Sequence, residues 1–169
     1  MKCDFAKQRI LNVNETPGAV LAHQGLVVHI MDGTLWGTDS WFHNPHAKAS
    51  SHFGVGRDGT LLQWVDTDSK AWTEADGNPY WVSVECEGRG GEELTHEQIA
   101  MIGKLFEWLE RSYHFGFANA STPSQKGLGH HSMGGLAWGG HFNCPGLKVI
   151  AQKKQILSEA LLIRHGVTA

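Results

Sequence analysis

The residues best equipped for chemistry crowd into one stretch. Residues 127–146 carry His130, His131, His141 and Cys144 among seven of the chain's 21 glycines. Neutral imidazoles and a thiolate projected from a glycine-rich loop are suitable zinc ligands. Joined by His29, at the end of the apolar run Leu26-Val27-Val28, His130 and Cys144 would make a three-ligand site. Its fourth position would stay open, the arrangement of a catalytic zinc. The spacing alone is not diagnostic, because His130 and Cys144 stand 14 residues apart and fit no short zinc-finger pattern. Taken by themselves, His29 reads first as a hydrogen-bonded core histidine and Glu85 as a solvated carboxylate on a half-exposed strand.

Such side chains need a scaffold, and the hydrophobic pattern supplies one. Leu26-Val27-Val28-His29-Ile30, led by Gly25 and closed by Asp32-Gly33, predicts a buried strand. Residues 34–50 predict a short helix ending before Pro45. Residues 51–56 and 60–65 flank Arg57-Asp58-Gly59, a hairpin signal. Residues 81–87 alternate, with Val82, Val84 and Cys86 on one face and Ser83, Glu85 and Glu87 on the other. Thr95-His96-Glu97-Gln98 has the form of a capping box, and Ile99, Ile102, Leu105, Phe106 and Leu109 follow at helical spacing to about residue 113. A last helix follows Pro145, its stripe including Val149, Ile156 and Ala160, with Gly166 as its C′ residue. Residues 1–24 carry no readable pattern. Strands alternating with helices predict an α/β (α+β) fold, a mixed central β-sheet flanked by helices. One domain is expected over residues 1–169, with its core from about 25 to 165.

Composition excludes several classes. Among 169 residues, 14 basic and 17 acidic side chains give a net charge of −3. With 18% charged and 41% hydrophobic residues, neither a disordered chain nor a binder of phosphate backbones is favoured. Apolar runs such as Ala160-Leu161-Leu162-Ile163 fall far short of the ~20 residues that span a bilayer, and the Met1-Lys2-Cys3 start has no signal-peptide apolar region. Three scattered cysteines are no disulfide framework; Cys86 reads as a core thiol and Cys3 as an ordinary N-terminal one. The expectation is a soluble monomer without nucleic-acid partner or membrane insertion.

Five anchors in order resemble the zinc-dependent N-acetylmuramoyl-L-alanine amidases shared by phage endolysins, bacterial autolysins and peptidoglycan recognition proteins. They are Leu26-Val27-Val28-His29, the hairpin from Ser50 to Thr60, Ala71-Trp72, the strand Val82-Ser83-Val84-Glu85-Cys86-Glu87-Gly88, and the segment from Gly129-His130 to Cys144-Pro145-Gly146. The Met133-Gly134-Gly135, Trp138-Gly139-Gly140-His141 and Cys144-Pro145-Gly146 run is most similar to amidase modules of actinobacterial cell-wall enzymes and their phages.

The resemblance implies that His29, His130 and Cys144 bind Zn²⁺; of the pair His130-His131, the first follows the glycine as the family's ligand does. It implies that Glu85 is the catalytic glutamate, while Ser51 stands where other members keep a tyrosine. Assuming a one-residue loop insertion, His141 would support the oxyanion, since Phe142 occupies the family's usual position. Thr73 replaces a histidine that often follows the Ala-Trp pair. The implied substrate is peptidoglycan, cut by zinc-activated water between the lactyl group of N-acetylmuramic acid and L-alanine; the rival is a non-cutting peptidoglycan-binding module on the same fold. Synthesis in the cytoplasm and phage-type release to the wall is the expected setting, with a domain cut from a larger lysin or an intracellular recycling amidase as alternatives. Trp64, Trp72, Trp81 and Trp138 read as core or groove rim, and His43, His46, His52 and His131 as loop histidines, His52 flanking the cleft.

Overall fold

The computed structural model describes residues 1–167. In chain order its elements are β1 (Lys7–Gln8), β2 (Glu15–Thr16), β3 (Gly25–Ile30), α1 (Leu35–Phe42), β4 (Phe53–Val55), β5 (Leu61–Gln63) and β6 (Lys70–Ala71). A short 3-10 turn (Ala75–Gly77), β7 (Val82–Cys86), α2 (His96–Tyr113), β8 (Gly127–His130), a kinked 3-10 segment (His131–Trp138) and α3 (Leu147–Arg164) follow. Six strands form a mixed sheet in the order β1-β5-β4-β7-β3-β8, while β2 and β6 pair separately. The expected mixed sheet flanked by helices is therefore present.

β3 lies between β7 and β8, parallel to both, and every one of its residues is buried. A strand covered on both faces has to be apolar on both, which is why residues 25–30 read as a run rather than an alternation. On one face Leu26, Val28 and Ile30 join Val82, Val84, Cys86 and Leu128 beneath α2 and α3. The opposite face carries Val27, which packs with Trp81, Ala120 and Trp138, and it carries His29.

The two long helices are locally determined. Thr95 Oγ1 accepts from the Gln98 N–H at 3.1 Å and Gln98 Oε1 accepts from the Thr95 N–H at 3.0 Å, so the capping box forms as predicted. A Cβ on Gly103 would stand 2.6 Å from Glu159 Cβ, so this glycine lets α2 approach α3 closely. Arg164 on α3 pairs with Glu107 and Glu110 on α2.

The first 24 residues hold two strands that the sequence did not announce: β1 runs parallel to β5, and β2 pairs with β6. Two-residue strands leave no periodicity to read. Cys3, expected as an ordinary terminal thiol, is buried in the core instead, and burial pushes its thiol up to about 11.

Candidate metal centre and catalytic site

Register decides which side chains meet. His29 on β3 pairs with Glu85 on β7, so both project from the face away from α2 and α3. On the other side Val28 pairs with His130, which therefore shares the helix-facing side with Val28. The next residue, His131, turns toward His29. His29 Nδ1 and His131 Nδ1 are 3.0 Å apart, Cys144 Sγ lies 4.0 Å from His29 Nδ1, and the three ligand atoms fall within 4.8 Å of one another.

The expected partner His130 is not brought together with His29 and Cys144. The His130 ring lies on the other face, with Nδ1 3.0 Å from the ammonium of Lys153 on α3. Lys153 is 2% exposed, donates to the Ala120 carbonyl at 2.7 Å, and is lowered to about 8 by burial. The side-chain period of two in a strand sends adjacent histidines to opposite layers. A glycine before the pair does not reveal which one pairs with Val28.

Both clustered imidazoles have their second nitrogen beside an oxygen. His131 Nε2 lies 3.1 Å from the Trp138 carbonyl oxygen, and His29 Nε2 lies 3.2 Å from Glu74 Oε2. Glu74 carries no signal in the sequence. It belongs to no strand or helix pattern, and only its burial in the folded chain brings it to His29.

Burial governs the electrostatics. It pushes the His29 imidazole down to about 3, with His141 contributing, and the His131 imidazole to about 3, with His29 contributing. Both rings are thus neutral at physiological pH, the form in which imidazole is a ligand. Burial, followed by the charge of Glu85, pushes the Cys144 thiol up to about 12, so a thiolate there needs a cation beside it. Glu85 is raised to about 8 by burial first, then by Glu74 and Asp32. Its Oε1 is 4.0 Å from His29 Nδ1, and its Oε2 has no hydrogen-bond partner among the described residues.

Glu85, His131 and Cys144 open onto a cavity of about 250 Å³ whose lining also includes Trp72, Thr73 and His141. Glu85 also lines an adjoining hollow against α1, with Trp41. His141 stacks on His131, centroids 4.7 Å apart, which brings it to the cluster from the loop before Cys144; Phe142 is exposed instead. Glu87, which alternation put on the same face as Glu85, accepts from the Arg57 N–H outside the cavity.

One further expectation changes, that for His52. His52 does not flank the cleft: it is buried, with Nδ1 3.0 Å from Ser83 Oγ and Nε2 3.0 Å from the Ser69 carbonyl. Ser51, at the family's tyrosine position, is also buried and bonds Ser83. Trp64, Trp81 and Trp138 are core residues, leaving Trp72 at the cavity.

Residues 19–147 match the family model described as N-acetylmuramoyl-L-alanine amidase. The chain belongs to the N-acetylmuramoyl-L-alanine amidase family. Over 68 residues this family member is 34% identical to N-acetylmuramoyl-L-alanine amidase A of Achromobacter lyticus, a stretch covering 40% of this chain and 38% of that protein. The match thus spans well under half the length of that curated relative. In fold, the amidase-family chain is similar to the Staphylococcus aureus hydrolase AmiA, solved in complex with its ligand, with a TM-score of 0.77 at 19% identity over 100% of this chain and 89% of that one. It is similar also to a mutant endolysin from Bacillus subtilis, with a TM-score of 0.66 at 18% identity over 90% and 96% of the two chains.

Proposed function

We propose that this chain is a zinc-dependent peptidoglycan hydrolase. It cuts the amide between the lactyl group of N-acetylmuramic acid and the L-alanine of the stem peptide. The observation that carries this reading is the convergence of two imidazole Nδ1 atoms and one thiol beside the Glu85 carboxyl at an open cavity. His29, His131 and Cys144 fit the metal, because neutral nitrogens and a sulfur are the donors zinc prefers and three protein ligands leave a position for solvent or substrate. A zinc ion held there would supply Lewis-acid polarisation to a water and to the scissile carbonyl, and would favour the thiolate form of Cys144.

The chain's own residues supply the rest. Glu85 takes a proton from the attacking water and passes it to the departing alanine amine, the double duty of a general base that becomes a general acid. Its burial keeps the carboxyl from being too weak a base for that work. His141, stacked on His131 at the same cavity, donates a hydrogen bond to the oxyanion that forms at the former carbonyl. Trp72 and Trp41 present aromatic surface to the bound glycan or peptide on either side of Glu85. The substrate sits in the cell wall, and no helix among the described residues is long and apolar enough to cross a membrane.

Purified cell walls provide the test. Incubation with the zinc-loaded protein should clear the suspension and expose new amine termini, and a chelator should stop both. Amine release that is absent, or that ignores the chelator, overturns the proposal.

A further inference from the structure

Glu74 is an anomaly in a well-satisfied interior. It is 1% exposed, yet among the described residues neither carboxylate oxygen has a hydrogen-bond partner, and the facing Nε2 of His29 has none either. Buried polar atoms left without partners call for a physical reason. The two orphans face each other at 3.2 Å, short of hydrogen-bond alignment by orientation rather than by distance.

The backbone around Glu74 is built to hold it there. Asn78 Oδ1 accepts from the N–H of Thr73 at 2.9 Å and of Glu74 at 2.7 Å, and the Gly77 N–H donates to the Glu74 carbonyl at 2.8 Å. Gly77 has to lack a side chain, because a Cβ would come within 2.6 Å of both Glu74 Cγ and the Trp138 ring. The turn carrying Glu74 therefore packs on the segment carrying His131 and Trp138, whose carbonyl faces His131 Nε2. The second nitrogens of both ligand imidazoles are thus addressed from one corner of the fold.

We propose that Glu74 is a positioning residue for the metal centre, accepting the Nε2–H of His29 so that the Nδ1 lone pair points at the ion. The proposal rests on the zinc reading given above. A neutral imidazole carries one proton; held on Nε2 by a carboxylate, it leaves Nδ1 free and more basic toward a metal. A zinc site of two imidazoles and one thiolate carries a net positive charge, and a buried carboxylate one imidazole away compensates it. Glu74 does not line the cavity that holds Glu85 and His141, so it acts through His29 and not on substrate.

The test uses the full chain loaded with Zn²⁺ alone, titrated against a chelating dye. Glu74→Ala should bind zinc about 10–100-fold more weakly than the wild type, and the isosteric Glu74→Gln should be weakened to a smaller degree. Proton NMR of the zinc-loaded wild type should show a low-field, exchange-protected His29 Nε2–H that moves upfield in Glu74→Gln, while the corresponding His131 resonance stays in place. If Glu74→Ala fails to fold, Glu74→Gln and its spectrum decide the matter. Zinc affinity within twofold of wild type, with the His29 resonance unmoved, overturns the role of Glu74 and leaves the zinc reading intact. A wild-type chain that takes up no zinc overturns both.

Discussion

Replacing Glu85 by glutamine separates chemistry from structure at this site. Glutamine has the same shape, and β7 keeps its backbone pairing with β3 and β4, so the fold and the three metal ligands should survive. What is lost is a group able to accept a proton, which is worth ~10²–10⁴ in rate. At about 1.36 kcal/mol per tenfold, that is roughly 2.7–5.4 kcal/mol added to the barrier. Stability should move the other way. Burial raises Glu85 from an ordinary 4.5 to about 8 in the folded, metal-free chain. Between those values the native state binds more protons than the unfolded one, so the wild type loses stability as pH rises from 4.5 to 8. Glu85→Gln removes that penalty, and its metal-free Tm at pH 8 should equal or exceed the wild type's. In the active wild type, turnover should decline as pH falls through the carboxyl's pKa, which a neighbouring cation holds below the metal-free value; the variant should lack this limb. Amine release from walls, zinc content by elemental analysis and thermal melts report the three quantities. Near-normal turnover in Glu85→Gln, with zinc retained, would refute the reasoning and move the proton to another group.

The adjacent histidines should respond oppositely: His131→Ala should lose zinc and activity, while His130→Ala should keep its zinc stoichiometry, as elemental analysis after gel filtration will show. Cys144→Ser should weaken zinc retention and abolish wall clearing, since a hydroxyl is a poor substitute for a thiolate ligand; unchanged zinc content would remove Cys144 from the ligand set. Lys153, lowered from 10.5 to about 8 by burial, should make the folded chain gain stability as pH rises from about 8 to 10.5, because the unfolded state holds the extra proton in that window. In Lys153→Met that slope should flatten, as denaturant melts at pH 8 and 10 will measure.

What the sequence disclosed was what is encoded locally. The capping box of α2, the Asp58-Gly59 hairpin and the apolar run of β3 each carry their signal within a few residues, and each stands where it was expected. His29, Glu85 and Cys144 were legible because they sit at fixed places in recognisable segments. The choice between His130 and His131 was not, because it depends on which residue of β8 lies beside Val28. That register is a relation between two strands about 100 positions apart. Glu74 was invisible for a similar reason: its neighbour in space, His29, lies 45 positions upstream. His52 misled in the opposite sense, since a histidine at the mouth of a hairpin looks solvated until Ser83 and the Ser69 carbonyl are found around it.

The back-to-back orientation of His130 and His131 ties two layers of the molecule to one dipeptide. Inserting a single residue ahead of it in β8 would put His130 in the layer of His29 and Cys144 and leave a glycine beside the α3 ammonium, whereas deleting one would put His131 beside that ammonium and Ser132 in the layer of His29 and Cys144. Either indel would break one of the two contacts while keeping a histidine in the other, so the length of this strand is fixed by both layers at once. Loop grafts intended to alter what the chain recognises therefore belong beyond the dipeptide, where the backbone has already been committed to both sides.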